Sequence, residues 1–214
     1  MKPLVFLNSH PIQYFAPLYK ELVASTDIDL TVWYCSDESI RGEMDKGFGK
    51  NVKWDIPLLD GYKYIFLKNY SWKKSISRGF MGLINFGVIK QLKRQPKSVI
   101  VIHGWNYATN VMTMIVGKLM GHTICLRAET PQNQELLKPK LITSLKHIYL
   151  RGLFLFIDRF LYIGNENKKF YQNLGVKEKN LFRVSYCVDN KRFHSLYQLS
   201  SREAARKELG LDPA

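Results

Sequence analysis

The chain has 214 residues, 46% hydrophobic and 23% charged, ample material for the core of one large α/β unit and too apolar for disorder. A formal net charge of +14 predicts attraction to polyanions, whether nucleic acid, anionic lipid or phosphorylated substrates. The three cysteines, Cys35, Cys125 and Cys187, form no close Cys-x-x-Cys pair, which argues against a disulfide framework or a zinc site and for buried thiols in a reducing compartment.

From the amino terminus, a short apolar run predicts a buried strand at Leu4–Leu7. The run is too short for a secretory signal and ends at Asn8, Ser9 and His10. A helical pattern over Phe15–Ala24 leads to a second strand at Leu30–Cys35. Residues 36–75 break the rhythm with Gly42, Gly47, Gly49, Pro57 and Gly61, so a long loop with an extra strand or hairpin is expected, and Tyr64–Leu67 is strand-like. Next come a helix over Phe80–Lys93, a strand at Val99–His103, a helix over Ala108–Met120 and a strand at Thr123–Arg127. A helix over Lys140–Phe156, a strand at Arg159–Ile163, a helix over Glu166–Leu174 and a strand at Phe182–Cys187 follow. Residues 190–202 read as a polar linker, and Ser201–Leu211 opens a new helix. Strands alternating with helices predict βαβ units: an α/β fold with a doubly wound, mostly parallel, Rossmann-like sheet. The most apolar stretch, Ile148–Ile163, carries Arg151, Asp158 and Arg159, which argues against a spanning helix and for a cytoplasmic protein.

In such a sheet ligands bind outside the carboxyl ends of the strands. Three consecutive motifs occupy that position. The first loop supplies His10 and Gln13; the second, His103-Gly-Trp, puts an imidazole at a strand end; the third, Arg127-Ala-Glu-Thr130, offers a cation, a carboxylate and a hydroxyl. A capping histidine at 103, and an Arg127–Glu129 pair that only holds its loop, are the plainer alternatives. Dinucleotide-type Gly-x-Gly-x-x-Gly, Walker-type and Gly-x-Ser-x-Gly motifs do not occur, nor does a metal-ligand cluster. Along Lys138–Phe156, the residues Lys138, Lys140, Lys146, His147 and Arg151 stand among many Leu, Ile and Phe. That composition suits an anionic membrane surface. Burial of the apolar side against the sheet explains the same letters and leaves the basic side free to meet lipid headgroups.

An ordered series of motifs resembles the amino-terminal domain of GT-B glycosyltransferases, most closely the retaining family four, group-one type. The series is His10-Pro-Ile-Gln-Tyr-Phe-Ala-Pro-Leu18, His103-Gly-Trp105, Arg127-Ala-Glu-Thr130, Tyr162-Ile-Gly-Asn-Glu-Asn167 and Tyr186-Cys-Val-Asp-Asn190 with Phe193. The resemblance implies a domain over residues 1–193, with 194–214 as linker and start of a carboxyl-terminal domain. It further implies an enzyme that transfers a sugar from a nucleotide-sugar donor to a glycan or lipid-linked acceptor in cell-envelope polysaccharide synthesis. No cofactor and no obligatory metal are implied. His103 would meet the donor sugar or reacting centre. His10, Gln13, Arg127, Glu129, Thr130 and Asn165 would bind substrate. The donor would be held mainly by the carboxyl-terminal half, so this stretch alone is expected to be inactive. Where many members carry Gly-Gly in the first loop, this chain has His-Pro-Ile-Gln. Location at the inner membrane face fits a lipid-linked acceptor, and nucleic acid is disfavoured as a partner. The other readings are a non-catalytic basic module for nucleic acid or anionic membrane, with Tyr70-Ser-Trp-Lys-Lys74 as its contact surface, and a natural half-enzyme that pairs with a separate donor-binding chain.

Overall fold

Short runs rich in β-branched and aromatic residues become strands, and the amphipathic stretches between them become helices. The computed structural model describes residues 2–41, 44–45, 50–51, 54, 56–135, 137, 139–199 and 202–210. Gly42, Gly47, Gly49, Lys138, Ser201 and Leu211, named above, lie outside the described residues. Strand β1 (Leu4–Asn8), helix α1 (Phe15–Ser25) and strand β2 (Leu30–Tyr34) form the first βαβ unit. Pro17 falls in the first turn of α1, where its missing N–H would have had no intrahelical partner. Two short strands, β3 (Met44–Asp45) and β4 (Lys50–Asn51), pair antiparallel before β5 (Lys63–Phe66) rejoins the main sheet.

The second half continues with α2 (Gly87–Arg94), β6 (Val99–His103), α3 (Ala108–Leu119) and β7 (Thr123–Arg127). After β7 come the short α4 (Gln132–Glu135), α5 (Lys140–Phe154), β8 (Arg159–Tyr162), α6 (Asn165–Asn173) and β9 (Leu181–Arg183). Helices α7 (Asn190–Leu199) and α8 (Arg202–Glu208) close the described chain.

Among the described residues seven strands form one sheet in the order β5-β2-β1-β6-β7-β8-β9, every neighbouring pair parallel. Strand order reverses at β1, which has β2 on one side and β6 on the other. That reversal opens a crevice at the carboxyl ends of β1 and β6, the usual ligand position in such sheets. The expected doubly wound, Rossmann-like α/β fold is therefore what the chain adopts.

The sheet is buried on both faces, as its continuous apolar strands require. Leu7, Ile100, Ile102, Ile124 and Leu126 join the core beneath α2, α3, α5 and α6. On the opposite face Phe6, Val101 and Cys125 meet Phe15 and Tyr19 of α1. Full burial of each such aliphatic side chain contributes about 1.5–3 kcal/mol. Gly117 of α3 has a packing reason: a Cβ there would stand 2.9 Å from Ile124 Cδ1, so any larger residue would force that terminal methyl or the helix to shift.

Four sequence expectations need correction. The helix expected over Phe80–Lys93 starts only at Gly87, and a kinked 3-10 segment, Ile76–Gly82, precedes it. Between them Asn85 is drawn inward, its amide donating to the carbonyls of Cys35 (2.9 Å) and Leu67 (2.8 Å), which ties the loops after β2 and β5. Strand β9 stops at Arg183, so Cys187 sits in the following loop and is exposed, while Cys35 and Cys125 are buried as expected. The stretch read as a linker contains α7, whose Arg192 N–H donates to Asp189 Oδ1 at 2.9 Å in capping geometry.

The fourth correction is the largest. Helix α5 does not bury its apolar side as a whole. Leu150, Leu153 and Phe154 enter the core, whereas Leu141, Ile142, Leu145, Ile148 and Tyr149 are exposed. The cationic residues divide as well. Lys140 and Arg151 are exposed, but Lys146 turns inward to pair with Glu135 at 2.9 Å.

Candidate functional site

The ends of three adjacent parallel strands meet at the crevice. His103 ends β6, Arg127 ends β7, and the two are register partners. In a parallel pair, register partners face the same side of the sheet, here the side covered by α1. His10 follows the end of β1 by two residues, so all three motifs sit at one edge.

A cavity of about 450 Å³ opens there. Its walls come from the first loop and α1 (Ile12, Tyr14, Phe15), the β6 turn (His103 to Asn106), the β7 loop (Arg127 to Pro131), and Gln134, Glu135 and Lys146. Of the residues singled out in the sequence, His103, Arg127, Glu129 and Thr130 line this cavity together. His10, Gln13 and Asn165 are not among its lining residues. His10 is half-buried with Nδ1 2.9 Å from Ser9 Oγ, Gln13 is half-buried, and Asn165 is an exposed residue at the start of α6.

The β6 turn is fixed by backbone chemistry. Gly104 adopts φ +74°, a left-handed conformation that a side chain would strain. Its N–H donates to the Arg127 carbonyl at 2.8 Å, joining the two strand ends. The Asn110 amide of α3 then donates to the carbonyls of His103 (2.8 Å) and Gly104 (3.0 Å). His103 is thus held from below, with its ring against Phe15 in an edge-on contact at 4.5 Å between centroids. Its Nε2 is buried and has no hydrogen-bond partner among the described residues. An unpartnered buried imidazole nitrogen is costly unless a ligand meets it.

Burial first, and the Arg127 charge second, hold the His103 imidazole down to about 3. At neutral pH the ring is uncharged. It offers a hydrogen bond but no titratable proton near pH 7. A histidine whose pKa is lower in the folded state binds fewer protons folded than unfolded. Stability is therefore fully present above about pH 6.5 and is lost as pH falls toward 3, by at most about 1.4 kcal/mol per pH unit. We expect the melting temperature to fall between pH 6.5 and 4.5, and His103→Gln to flatten that slope. Equal slopes in the two proteins would show that the ring is not held neutral.

Arg127 is 5% exposed, so its charge is held in place by its surroundings. The guanidinium lies over the rings of Phe15 (5.1 Å) and Tyr186 (4.9 Å), and Nη1 is 3.4 Å from Glu129 Oε1. Tyr186 hydrogen-bonds Glu129, and burial together with that carboxylate raises its pKa. The loop after β7 is pinned from α6. The Ala128 N–H donates to Tyr171 Oη at 3.1 Å, and the Asn167 amide donates to the Thr130 carbonyl at 3.0 Å. Asn167, the partner of Thr130, stands two residues beyond the Asn165 named from sequence.

At the far wall Glu135 is 2% exposed. Its partner Lys146 sits over the rings of Trp105 (5.8 Å) and Phe170 (5.4 Å). Neither residue was picked out as a site residue from sequence; an acidic residue eleven positions before a lysine carries no helix-spacing signal. The cavity therefore holds two cations, two carboxylates, a neutral imidazole and the hydroxyls of Tyr14 and Thr130 within a mainly polar lining. That mixture of donors and acceptors suits a polar ligand with many hydroxyls. Among the described residues no group of three or more His, Cys, Asp or Glu is placed to hold a metal ion. No helix among them is long and apolar enough to cross a membrane.

No family model matches the chain, and no curated protein sequence matches it. Its fold is similar to solved structures of HepE from Anabaena: in complex with UDP (TM-score 0.55, 12% identity), with UDP-glucose (0.54, 11%), and with UDP and glucose (0.54, 12%). The alignments cover 97–98% of this chain and 50% of HepE, so the chain spans about half the length of that protein. At such identity the likeness concerns the fold.

Proposed function

We propose that this chain is the amino-terminal, acceptor-side half of a GT-B glycosyltransferase of the retaining type. The intact protein would move a sugar from a nucleotide-sugar donor to a glycan or lipid-linked acceptor in cell-envelope polysaccharide synthesis. The observation that carries the reading is the convergence of His103, Arg127 and Glu129 on one cavity at the strand-order reversal. The likeness in fold to a protein captured with UDP and with UDP-glucose supports it.

In this reading the neutral His103 imidazole offers its unpartnered Nε2 to the donor sugar at the reacting centre. Arg127 places a fixed positive charge beside it, and Glu129 and Thr130 bind acceptor hydroxyls. His10, Gln13 and Asn165 border the same edge and would meet the substrates once the donor-side half closes over it. The bond between the anomeric carbon and the donor phosphate breaks through an oxocarbenium-like state. The departing phosphate oxygen takes the proton of the attacking hydroxyl on the same face. Stabilising that phosphate is the main electrostatic task, and it belongs to the donor-side half. A groove built for a nucleic-acid backbone would exclude carboxylates such as Glu129 and Glu135, so the cavity favours the sugar reading.

Calorimetry and turnover with a panel of nucleotide sugars test this. Residues 1–214 alone are expected to bind nucleotide sugar weakly and to transfer nothing, with transfer appearing when the donor-side half is present. Efficient transfer by residues 1–214 alone would contradict the reading.

A further inference from the structure

We propose that the outward face of α5, with the neighbouring Ile76–Gly82 segment, docks on an anionic lipid bilayer. Leu141, Leu145 and Ile148 recur at spacings of four and three, so they share one face of the helix. They are 74%, 60% and 68% exposed, and Leu155, just past the helix end, is 79% exposed. Ile142 and Tyr149 flank this stripe and are also exposed. The opposite side of the same helix is already used by Leu150, Leu153 and Phe154 in the core and by Lys146 in the cavity. Helix α5 is therefore apolar on both sides, and its second side has no partner within the described residues. Single exposed leucines are ordinary on a protein surface, but a continuous stripe marks an interaction site.

The stripe continues beyond the helix. Tyr149 and Phe80 line one open depression of about 770 Å³, together with Ile76, Gly79 and Tyr107. Phe80 and Met81 are exposed as well. Trp105 and Asn106 line both this depression and the His103 cavity, so the apolar face leads directly to the site.

Charge identifies the occupant. Between Asp60 and Glu129 the chain carries eleven Lys and Arg residues and no Asp or Glu. Residues 136–157, which include α5, add four more and again no acid. The two segments that build the apolar face thus offer only positive charge around it, with Lys140 and Arg151 exposed on α5 and Lys73, Lys74 and Arg78 exposed on the other segment. Apolar side chains among cations complement an anionic headgroup layer over hydrocarbon. Glu38, which meets this segment, is half-buried, and its carboxylate accepts from Ser75 Oγ and the Ile76 N–H. A contact between copies of this chain would set these like charges against each other. The inference stands without the glycosyl-transfer reading, since vesicle binding needs no sugar.

Flotation of the protein with vesicles tests it, using phosphatidylcholine alone and phosphatidylcholine with about one third phosphatidylglycerol. Binding is expected on the mixed vesicles, and it weakens with salt. Lys140→Gln with Arg151→Gln should lower it about 30-fold at low salt, at roughly fivefold per cation. Leu145→Gln with Ile148→Gln should lower it at least about tenfold with an unchanged melting temperature, because both side chains are exposed. Equal binding to the two vesicle types, or mixed-vesicle binding unaffected by the leucine–isoleucine pair, would overturn the proposal. So would wild-type protein that ignores vesicles but self-associates through this face, with the same pair abolishing the association.

Discussion

Lys146→Met is expected to destabilise the protein by about 3 kcal/mol at pH 7, the largest single effect on folding among these side chains. The ammonium is a countercharge of Glu135, which is 2% exposed, and it lies over the rings of Trp105 and Phe170. Methionine keeps the apolar stem and its ring contacts but leaves a buried carboxylate without that cation. Losing one partner of a buried pair is far more damaging than losing both. The double variant Glu135→Gln with Lys146→Met should therefore recover most of the stability. Chemical denaturation of the single and double variants measures the difference. A single variant within about 0.5 kcal/mol of wild type would mean that the pair behaves as a solvated surface contact.

This pair also shows where sequence reading reaches its limit. In α5, apolar letters occupy nearly the whole circumference, so periodicity cannot say which side meets the sheet. The letters suggest burial of the apolar side, whereas the structure splits those residues between core and solvent. Lys146 reads as one cation of a basic surface and proves to be a wall of the cavity. Only the third dimension, bringing α4 back over α5, decides it.

Other parts were legible for a clear reason. Strands β6 and β7 run from Val99 to His103 and from Thr123 to Arg127, the same bounds that their β-branched and apolar letters predict. Both are central and buried on two faces, so sequence and environment agree residue by residue. Because both strands are parallel neighbours, their end residues His103 and Arg127 had to share one edge. The surroundings of Arg127 were not legible. Its aromatic neighbours Phe15 and Tyr186 lie at opposite ends of the domain sequence and meet only through the sheet's strand order. The Asn85 bridge that displaces the start of α2 is equally long-range, since it depends on carbonyls after β2 and β5.

Under the proposed glycosyl-transfer function, His103→Ala, assayed together with a donor-side half, is expected to lower turnover about 100-fold while the fold survives. The ring is held by Phe15 and by a turn anchored through Asn110, so its Nε2 is a fixed group, and a fixed group stabilises a reacting centre without reorganising. His103→Gln should keep part of the activity, because an amide can present a donor or an acceptor to the same space. The pH profile separates this role from proton transfer. An imidazole held down to about 3 does not titrate between pH 5 and 8, so wild type and His103→Gln should show profiles of the same shape there, differing in height. An inflection near pH 6.5 in wild type that disappears in His103→Gln would reveal a titrating base instead. Turnover of His103→Ala equal to wild type would leave the ring a packing partner of Phe15 and remove it from the chemistry.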